Sequence, residues 1–174
     1  MKVSIRPASD DDAEPLVELL NRDRAFLAPW QPARTEEFFT LAHQRREIDK
    51  ALAQQHDGVL LPYVILSDGK VVGQIAVSNI VLRAFHSGDL GYWVSQAHNG
   101  RGVATSSVAL MVAVAFEGLR LHRLQASTLP HNIGSQRVLA RTGFERIGLA
   151  PKYLRIDGRW QDNVLFQRIN GSFD

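Results

Sequence analysis

The sequence predicts an α/β (α+β) fold built on a mixed, mostly antiparallel central sheet of about seven strands. Three observations support this prediction. Seven short runs are rich in β-branched and aromatic residues, apolar segments with a helical period lie between them, and Gly, Pro and Asp punctuate their boundaries. The length allows one sizeable core, so we expect residues 1–174 to form a single domain.

The N-terminal third contains the first strand and two helices. Residues 3–6 form a strand, and Ser9 caps a helix that carries three aspartates in its first turn. Residues 21–34 interrupt the regular pattern with two prolines around several large apolar side chains. A second helix is predicted from about residue 35 to about residue 55, with one charged face.

Three strands and a long apolar helix follow. The Ser-Asp-Gly-Lys turn at 67–70 predicts a hairpin between strands at 60–66 and 71–82. The next strand, at 90–94, is rich in aromatic and β-branched residues. Residues 103–116 then continue an apolar helix for about four turns.

The C-terminal part alternates again between strand and helix. A short strand at 123–128 is followed by a helix that begins after Asn132 and is closed by Gly143. Strands at 144–149 and 159–169, joined by an Asp157-Gly158 turn, complete the sheet.

Composition excludes several classes of function. The chain has no cysteine, which rules out a disulfide framework, a Cys-based zinc site and an acyl-cysteine intermediate. Its six histidines are scattered without an i,i+4 pair, so we expect no metal site. A net charge of +2 is too small for a dedicated nucleic-acid binder, and no apolar run approaches a membrane span. We therefore expect a cytoplasmic protein that binds neither nucleic acid directly nor a membrane.

The segment from Asn99 to Thr105 predicts an anion-binding loop, because it joins an apolar strand to an apolar helix through two glycines. The first amides of a helix have no intrahelical partner, so a phosphate can accept several hydrogen bonds from them. A side chain at Gly100 or Gly102 would hold the phosphate away. A P-loop would need a lysine after the glycines, and a Rossmann fingerprint would need a small residue at Thr105. Turn formation alone also explains two glycines at such a junction.

The loop resembles the pyrophosphate-binding loop of the GNAT acetyltransferases, Gln/Arg-x-x-Gly-x-Gly/Ala, with Asn99 at the first position where that family usually has Gln or Arg. The predicted order of elements also matches the GNAT fold, which has helices on both faces of its sheet. The resemblance implies that acetyl-CoA is the co-substrate. The residues implied to hold it at this loop are Asn99, Gly100, Arg101, Gly102, Val103, Ala104 and Thr105.

Matches along nearly the whole chain resemble the RimJ/RimL type of ribosomal-protein-alanine N-acetyltransferase, closest to RimJ. They are Phe26-Leu27-Ala28-Pro29-Trp30-Gln31-Pro32, Ser78-Asn79-Ile80-Val81, Phe85-His86, Leu90-Gly91-Tyr92, Pro130-His131-Asn132, Leu139-Ala140-Arg141 and Tyr153-Leu154-x-Ile156-Asp157-Gly158-x-Trp160-x-Asp162. This type transfers acetyl to the N-terminal α-amine of a protein or peptide, such as a ribosomal protein, by direct attack in a ternary complex. We expect Phe26, Trp30 and Tyr92 to bind the acceptor.

Asn132 and Ser135 open the helix after the fifth strand, and two interpretations apply to them. On residue type alone, Asn132 is an N-cap and Ser135 a polar residue of the first turn. The family resemblance instead implies that Asn132 binds the amides of the pantetheine arm and that Ser135 faces the sulfur. It also implies that the amide of Val94 binds the thioester oxygen, where the fourth strand separates from the fifth.

No general base is carried over from related enzymes. Ser127, Leu139 and Lys152 occupy the positions at which related families have Glu, Tyr and a carboxylate, respectively. Ser135 therefore becomes the catalytic candidate, as a hydrogen-bond donor to the departing thiolate. Deprotonation of the amine is left to water or to an unassigned residue such as Asp89.

Two alternatives remain open at this point. A GNAT fold also suits acetylation of a small-molecule amine, such as an antibiotic or an aminoacyl compound. The lack of an identifiable base is also compatible with a non-catalytic acyl-CoA sensor. The sequence does not determine the oligomeric state, and a homodimer is left open.

Overall fold

The computed structural model describes residues 1–156 and 158–173. The seven strands are β1 (Val3–Pro7), β2 (Leu61–Ser67), β3 (Lys70–Val81), β4 (Ser87–Val94), β5 (Arg123–Thr128), β6 (Glu145–Ile156) and β7 (Arg159–Ile169). They form one sheet in the order β1-β2-β3-β4-β5-β7-β6. The β4–β5 pair is parallel and every other neighbouring pair is antiparallel. The predicted mixed, mostly antiparallel sheet is confirmed.

The helices lie on both faces of this sheet, as predicted. They are α1 (Ala13–Arg22), α2 (Arg24–Leu27), α3 (Leu41–His56), α4 (Val103–Ala113) and α5 (Ile133–Arg141). The neighbours Val64 and Ile65 of β2 are both fully buried and point to opposite faces. Val64 belongs to a buried cluster with side chains of α1 and α3, and Ile65 belongs to a second buried cluster that includes side chains of α4 and α5.

The second predicted helix begins later than the sequence pattern indicated. Thr40 has an extended backbone, and its hydroxyl accepts a hydrogen bond from the amide of His43 at 3.2 Å, so Thr40 caps α3. The preceding segment, Glu36–Phe39, forms a separate 3₁₀ turn. The prediction of one helix from residue 35 was therefore wrong, because a local cap interrupts a continuous helical pattern.

At other boundaries of strands and helices, the local sequence was sufficient to predict where an element ends. The predicted hairpin turn is confirmed, since Asp68 and Gly69 both have positive φ (48° and 82°), as a type I′ turn requires. The end of α5 is also confirmed, because the amide of Phe144 donates to the carbonyl of Leu139 and Gly143 has a φ of 79°. Strand β6 extends to Ile156, beyond its predicted end. The predicted turn at Asp157-Gly158 lies partly outside the described residues.

The feature of the sheet that creates a site is the short pairing of β4 with β5. These strands pair only over Ser87, Gly88 and Asp89 of β4. Beyond Asp89 no further β4–β5 pairing is present in the described part of the chain, and β4 continues alone beside β3 to Val94. A cleft therefore opens between the unpaired part of β4 and β5. Among the described residues, none of the helices has both the length and the apolar character needed to cross a bilayer.

Candidate active site

The cleft between β4 and β5 has a volume of about 720 Å³. Its walls come from the separated part of β4, the loop before α4, the end of β5, the start of α5 and the segment around α2. Every predicted site residue except Arg101 lines it. These residues are Phe26, Trp30, Tyr92, Val94, Asn99, Gly100, Gly102, Val103, Ala104, Thr105, Asn132 and Ser135.

The glycine loop has the backbone that its sequence predicts. Gly100 and Gly102 have φ angles of 71° and 79°, and a Cβ built on either residue would meet no atom within 4 Å. Glycine is therefore favoured here by the backbone conformation, not by crowding. The open space above both residues leaves room for a ligand to reach the main chain.

Gly102 is the N-cap of α4, and no side chain caps this helix in the described part of the chain. The first helical hydrogen bond joins the amide of Ser106 to the carbonyl of Gly102 at 2.9 Å. The three preceding amides, at residues 103–105, thus have no intrahelical acceptor and carry the positive end of the helix dipole. This arrangement can bind a phosphate or pyrophosphate group.

Val94 ends the strand that forms one wall of the cleft, and its side chain is buried. The amide of Ser95 donates to the carbonyl of Val72 at 2.8 Å, which makes Val94 and its partner Gly73 a non-hydrogen-bonded pair. In an antiparallel ladder such a pair directs its amides away from the partner strand. The amide of Val94 is consequently directed towards the gap that β5 leaves open.

Asn132 and Ser135 lie at the first turn of α5. The Oδ1 atom of Asn132 accepts a hydrogen bond from the amide of Ser135 at 3.1 Å, so Asn132 is the N-cap of this helix. The interpretation based on residue type is thus confirmed for Asn132. The cap occupies only Oδ1, and because Asn132 also lines the cleft, a binding role for its Nδ2 stays a proposal.

Ser135 and Tyr92 are hydrogen-bonded to each other, which the sequence did not indicate. The Tyr92 Oη and Ser135 Oγ atoms are 2.8 Å apart, and either can be the donor. Tyr92 Oη also lies 3.4 Å from the carbonyl oxygen of Ser135. Burial raises the pKa of Tyr92 to about 12, so its hydroxyl stays protonated at neutral pH.

The segment that carries Phe26 and Trp30 forms part of the cleft wall. The Trp30 ring lies 5.4 Å from the ring of His131, just before α5. At its other end the segment is held by Asp23, a buried carboxylate whose Oδ2 accepts the amide of Gln96 at 3.0 Å. Burial alone would raise the pKa of Asp23, but hydrogen bonds from Ser95 and its other neighbours lower it, so the carboxylate remains charged.

The charges around the cleft have one sign. Among the described residues, no Asp or Glu lines the cleft, whereas Arg137 and Arg141 do. These arginines were not predicted as site residues, although their i,i+4 spacing on α5 places them on one helix face. Asp89 lies outside the lining and accepts a hydrogen bond from Asn79 at 2.9 Å, so its suggested role as a base has no support.

Two buried polar atoms beside the cleft lack a hydrogen-bond partner among the described residues. They are the Oγ1 atom of Thr128 at the end of β5 and the Nδ1 atom of His98 before the glycine loop. Buried polar groups are rarely left unpaired, and these two atoms belong to residues that line the cleft. In the described part of the chain, no three His, Asp or Glu side chains converge to form a metal site.

The features of the cleft fit coenzyme A. Uncapped amides and two arginines suit its anionic phosphates, and the apolar walls between β4 and α5 suit a long flexible arm. At the far end, the Ser135 hydroxyl and the Val94 amide are polar groups that a thioester could meet. Arg101 lies on the exposed side of the loop, so its predicted contact with the cofactor stays a prediction.

Comparisons with known proteins support this interpretation. A family model described as "Acetyltransferase (GNAT) domain" matches residues 2–145. The "Probable N-acetyltransferase YjcK" of Bacillus subtilis is 32% identical over 174 residues, covering 97% of this chain and 94% of that protein. The ribosomal protein uS5-alanine N-acetyltransferase of Escherichia coli is 32% identical over 170 residues, covering 94% of this chain and 86% of that protein.

Among solved structures, Mycobacterium smegmatis RimJ in complex with CoA-disulfide matches with a TM-score of 0.94 and 32% sequence identity. The match covers 98% of this chain and 83% of that one. The family model spans most of the chain, and both the fold and the geometry of the cleft agree with it. The chain belongs to the GNAT family and is an acetyltransferase similar to RimJ.

Proposed function

We propose that this protein transfers the acetyl group of acetyl-CoA to the N-terminal α-amine of a protein or peptide. The observation that carries the proposal is the cleft itself, which joins an uncapped helix start, a serine hydroxyl and an apolar wall in one continuous space. The name of the E. coli relative, a ribosomal protein uS5-alanine N-acetyltransferase, supports a protein N-terminus as the acceptor class.

The cofactor end of the cleft would hold the phosphates. The amides of residues 103–105 have no intrahelical acceptor and would donate to the pyrophosphate, while Arg137 and Arg141 add positive charge. The Nδ2 atom of Asn132 would donate to a carbonyl of the pantetheine arm. When bound, acetyl-CoA supplies an activated acetyl thioester, and the residues of the chain must position it.

The electrostatics of the cleft favour an α-amine as acceptor. Attack on a thioester requires a neutral amine, and no carboxylate lines the cleft among the described residues to remove a proton from a cationic one. An α-amine has a pKa of about 7.7–8.0, so about a tenth to a fifth of it is neutral at pH 7. A lysine side chain, with a pKa of about 10.4, is neutral far less often and would need a base.

Two groups would stabilise the charge that develops during transfer. The amide of Val94, directed into the gap beside β4, would donate to the thioester oxygen as that oxygen becomes negative. The hydroxyl of Ser135 would donate to the sulfur as the bond to carbon breaks. The removal of one donor of the first kind typically slows an enzyme by about 10²–10³.

The acceptor would enter beside the α2 segment. Phe26 and Trp30 line this end of the cleft and provide apolar surface for the first side chain of a peptide. Asp23 anchors the segment to the end of β4, which keeps this wall in a fixed position relative to the proposed oxygen-binding amide. A peptide chain would then extend from the open mouth of the cleft.

The proposal is tested by measuring CoA release with a panel of acceptors. The panel contains peptides varied at their first two residues, the same peptides with blocked N-termini and a free lysine, and small amines that include free amino acids. We expect release with free N-termini beginning with Ala or Ser. Preference for a small amine would establish the small-molecule alternative, and tight acetyl-CoA binding without turnover on any amine would establish a sensor.

A further inference from the structure

We propose that Tyr92 is a positioning residue for Ser135: its hydroxyl donates to Ser135 Oγ and so directs the serine proton into the cleft. The inference rests on the proposed function, because it assumes that Ser135 faces the sulfur of acetyl-CoA. From the sequence we expected Tyr92 to bind the acceptor, whereas here its hydroxyl positions Ser135.

The contact joins two elements that are fixed independently of each other. Tyr92 lies in β4, where it pairs with Ile75 of β3. Ser135 lies in the first turn of α5, which is held by the cap from Asn132 and by the buried side chain of Leu139. The 2.8 Å contact between the two hydroxyls therefore sets the rotamer of the serine without having to hold the backbone in place.

The available acceptors and their distances favour donation from Tyr92 to Ser135 Oγ, although either hydroxyl can be the donor. Ser135 presents two oxygens to Tyr92 Oη, its Oγ at 2.8 Å and its carbonyl oxygen at 3.4 Å. A tyrosine proton directed at this pair leaves the serine proton free. Among the described residues, Ser135 Oγ has no side-chain hydrogen-bond partner other than Tyr92, so the free proton can point at a ligand in the cleft.

The chemistry balances without ionisation of either hydroxyl. A carbon–nitrogen bond forms, the carbon–sulfur bond breaks, and the proton lost by the amine ends on the sulfur by way of water. Tyr92 and Ser135 both keep their protons throughout. A hydroxyl that accepts a hydrogen bond becomes a stronger donor, so Tyr92 would strengthen the contact of Ser135 with the developing thiolate.

The high pKa of Tyr92 agrees with a donor role and opposes a role as base. A phenol that stays protonated to about pH 12 cannot accept the proton of the amine near neutrality. This leaves hydrogen-bond donation as the chemistry available to its hydroxyl. The ring of Tyr92 still forms part of the cleft wall and would be retained in a phenylalanine variant.

The test is a double-mutant cycle with Tyr92→Phe, Ser135→Ala and the combination, measured as single-turnover rates at saturating acetyl-CoA with a reactive peptide. Tyr63→Phe is the matched control, because it removes the same hydroxyl from a partly buried tyrosine of β2 outside the cleft. Acetyl-CoA affinity and the KM for the peptide are measured for every variant.

We expect Tyr92→Phe to lower the rate by about 2- to 12-fold, since the loss is that of one neutral hydrogen bond. The double variant should be no slower than Ser135→Ala alone, because without the serine hydroxyl Tyr92 has nothing to position. Acetyl-CoA affinity and peptide KM should change by less than about twofold, and Tyr63→Phe should match the wild type.

Three results would overturn the proposal. They are a wild-type rate in Tyr92→Phe, losses that multiply in the double variant, and a raised peptide KM that persists when Ser135 is already alanine. The last result would return Tyr92 to the acceptor site. Failure of the proposed function is distinguishable from all three, because the wild-type protein itself would then release no CoA with any peptide.

Discussion

Substitution of Gly102 in the glycine loop should affect the thermal stability of the protein and its affinity for acetyl-CoA by two separate mechanisms. Gly102 has a φ of 79° and a ψ of 0°, the left-handed conformation that residues with a Cβ adopt at a cost of about 1–2 kcal/mol. The added methyl group of Gly102→Ala would meet no protein atom within 4 Å, so strain is the whole expected cost to the free protein. For a chain of this size the melting temperature should fall by about 2–8 °C.

The cost to binding is separate and arises only when a phosphate is present. We expect the methyl group to occupy the space through which a phosphate approaches the amides of residues 103–105. A hydrogen bond to a charged group contributes about 1.5–3 kcal/mol, so the loss of one should weaken acetyl-CoA binding by about 10- to 150-fold. Gly102→Val should act in the same direction with a larger strain.

Gly58→Ala is a matched control for this experiment. Gly58 has a φ of 74°, also has no atom within 4 Å of a built Cβ, and lies outside the cleft. Both variants should lose similar stability in thermal unfolding, and only Gly102→Ala should lose affinity in calorimetric titration with acetyl-CoA. If the two variants bind acetyl-CoA equally well, the loop is a structural turn that does not hold the phosphates.

Two further predictions concern single side chains. Ser135→Ala should lower kcat by about 10- to 150-fold with little change in acetyl-CoA affinity, because the hydroxyl would donate to the developing thiolate. The helix cap is kept, since the backbone amide of residue 135 still donates to Asn132. A wild-type single-turnover rate in this variant would reject the role of Ser135. Burial alone would raise the pKa of Asp12, but hydrogen bonds from Arg6 and Ser9 lower it overall. The charged carboxylate therefore stabilises the fold above about pH 4. This stabilisation is lost as the pH falls through the lowered pKa. Asp12→Asn should therefore cost about 1–3 kcal/mol in denaturant unfolding at pH 7, and its difference from the wild type should shrink below about pH 4; a difference that does not vary with pH would contradict the assignment.

Features encoded by neighbouring residues could be predicted from the sequence. The succession of strands and helices along the chain followed from apolar periodicity and turn residues. The hairpin at Asp68-Gly69 and the end of α5 at Gly143 were placed correctly, because each depends on a few adjacent residues. The positive φ angles of Gly100 and Gly102 were expected for the same reason. The start of α3 was misplaced, since helical periodicity continues through Thr40 while its backbone does not.

Contacts between distant elements could not be predicted in this way. Tyr92 and Ser135 are 43 residues apart, and their contact depends on how α5 packs against β4, which no local pattern specifies. The contact of Asp23 with the amide of Gln96 spans 73 residues and was missed for the same reason. Arg137 had a local signal in its spacing from Arg141, but only the folded helix shows that this face lines the cleft.

Transfer of the acetyl group to an α-amine, and not to a lysine side chain, can be tested with a single peptide. The peptide begins with a free alanine and contains one internal lysine, so both acceptors are present at equal concentration in the same reaction with acetyl-CoA. Fragmentation mass spectrometry then locates the added acetyl group. We expect acetylation of the N-terminal amine with the lysine unmodified, whereas acetylation mainly on the lysine would rule out the α-amine as the preferred acceptor.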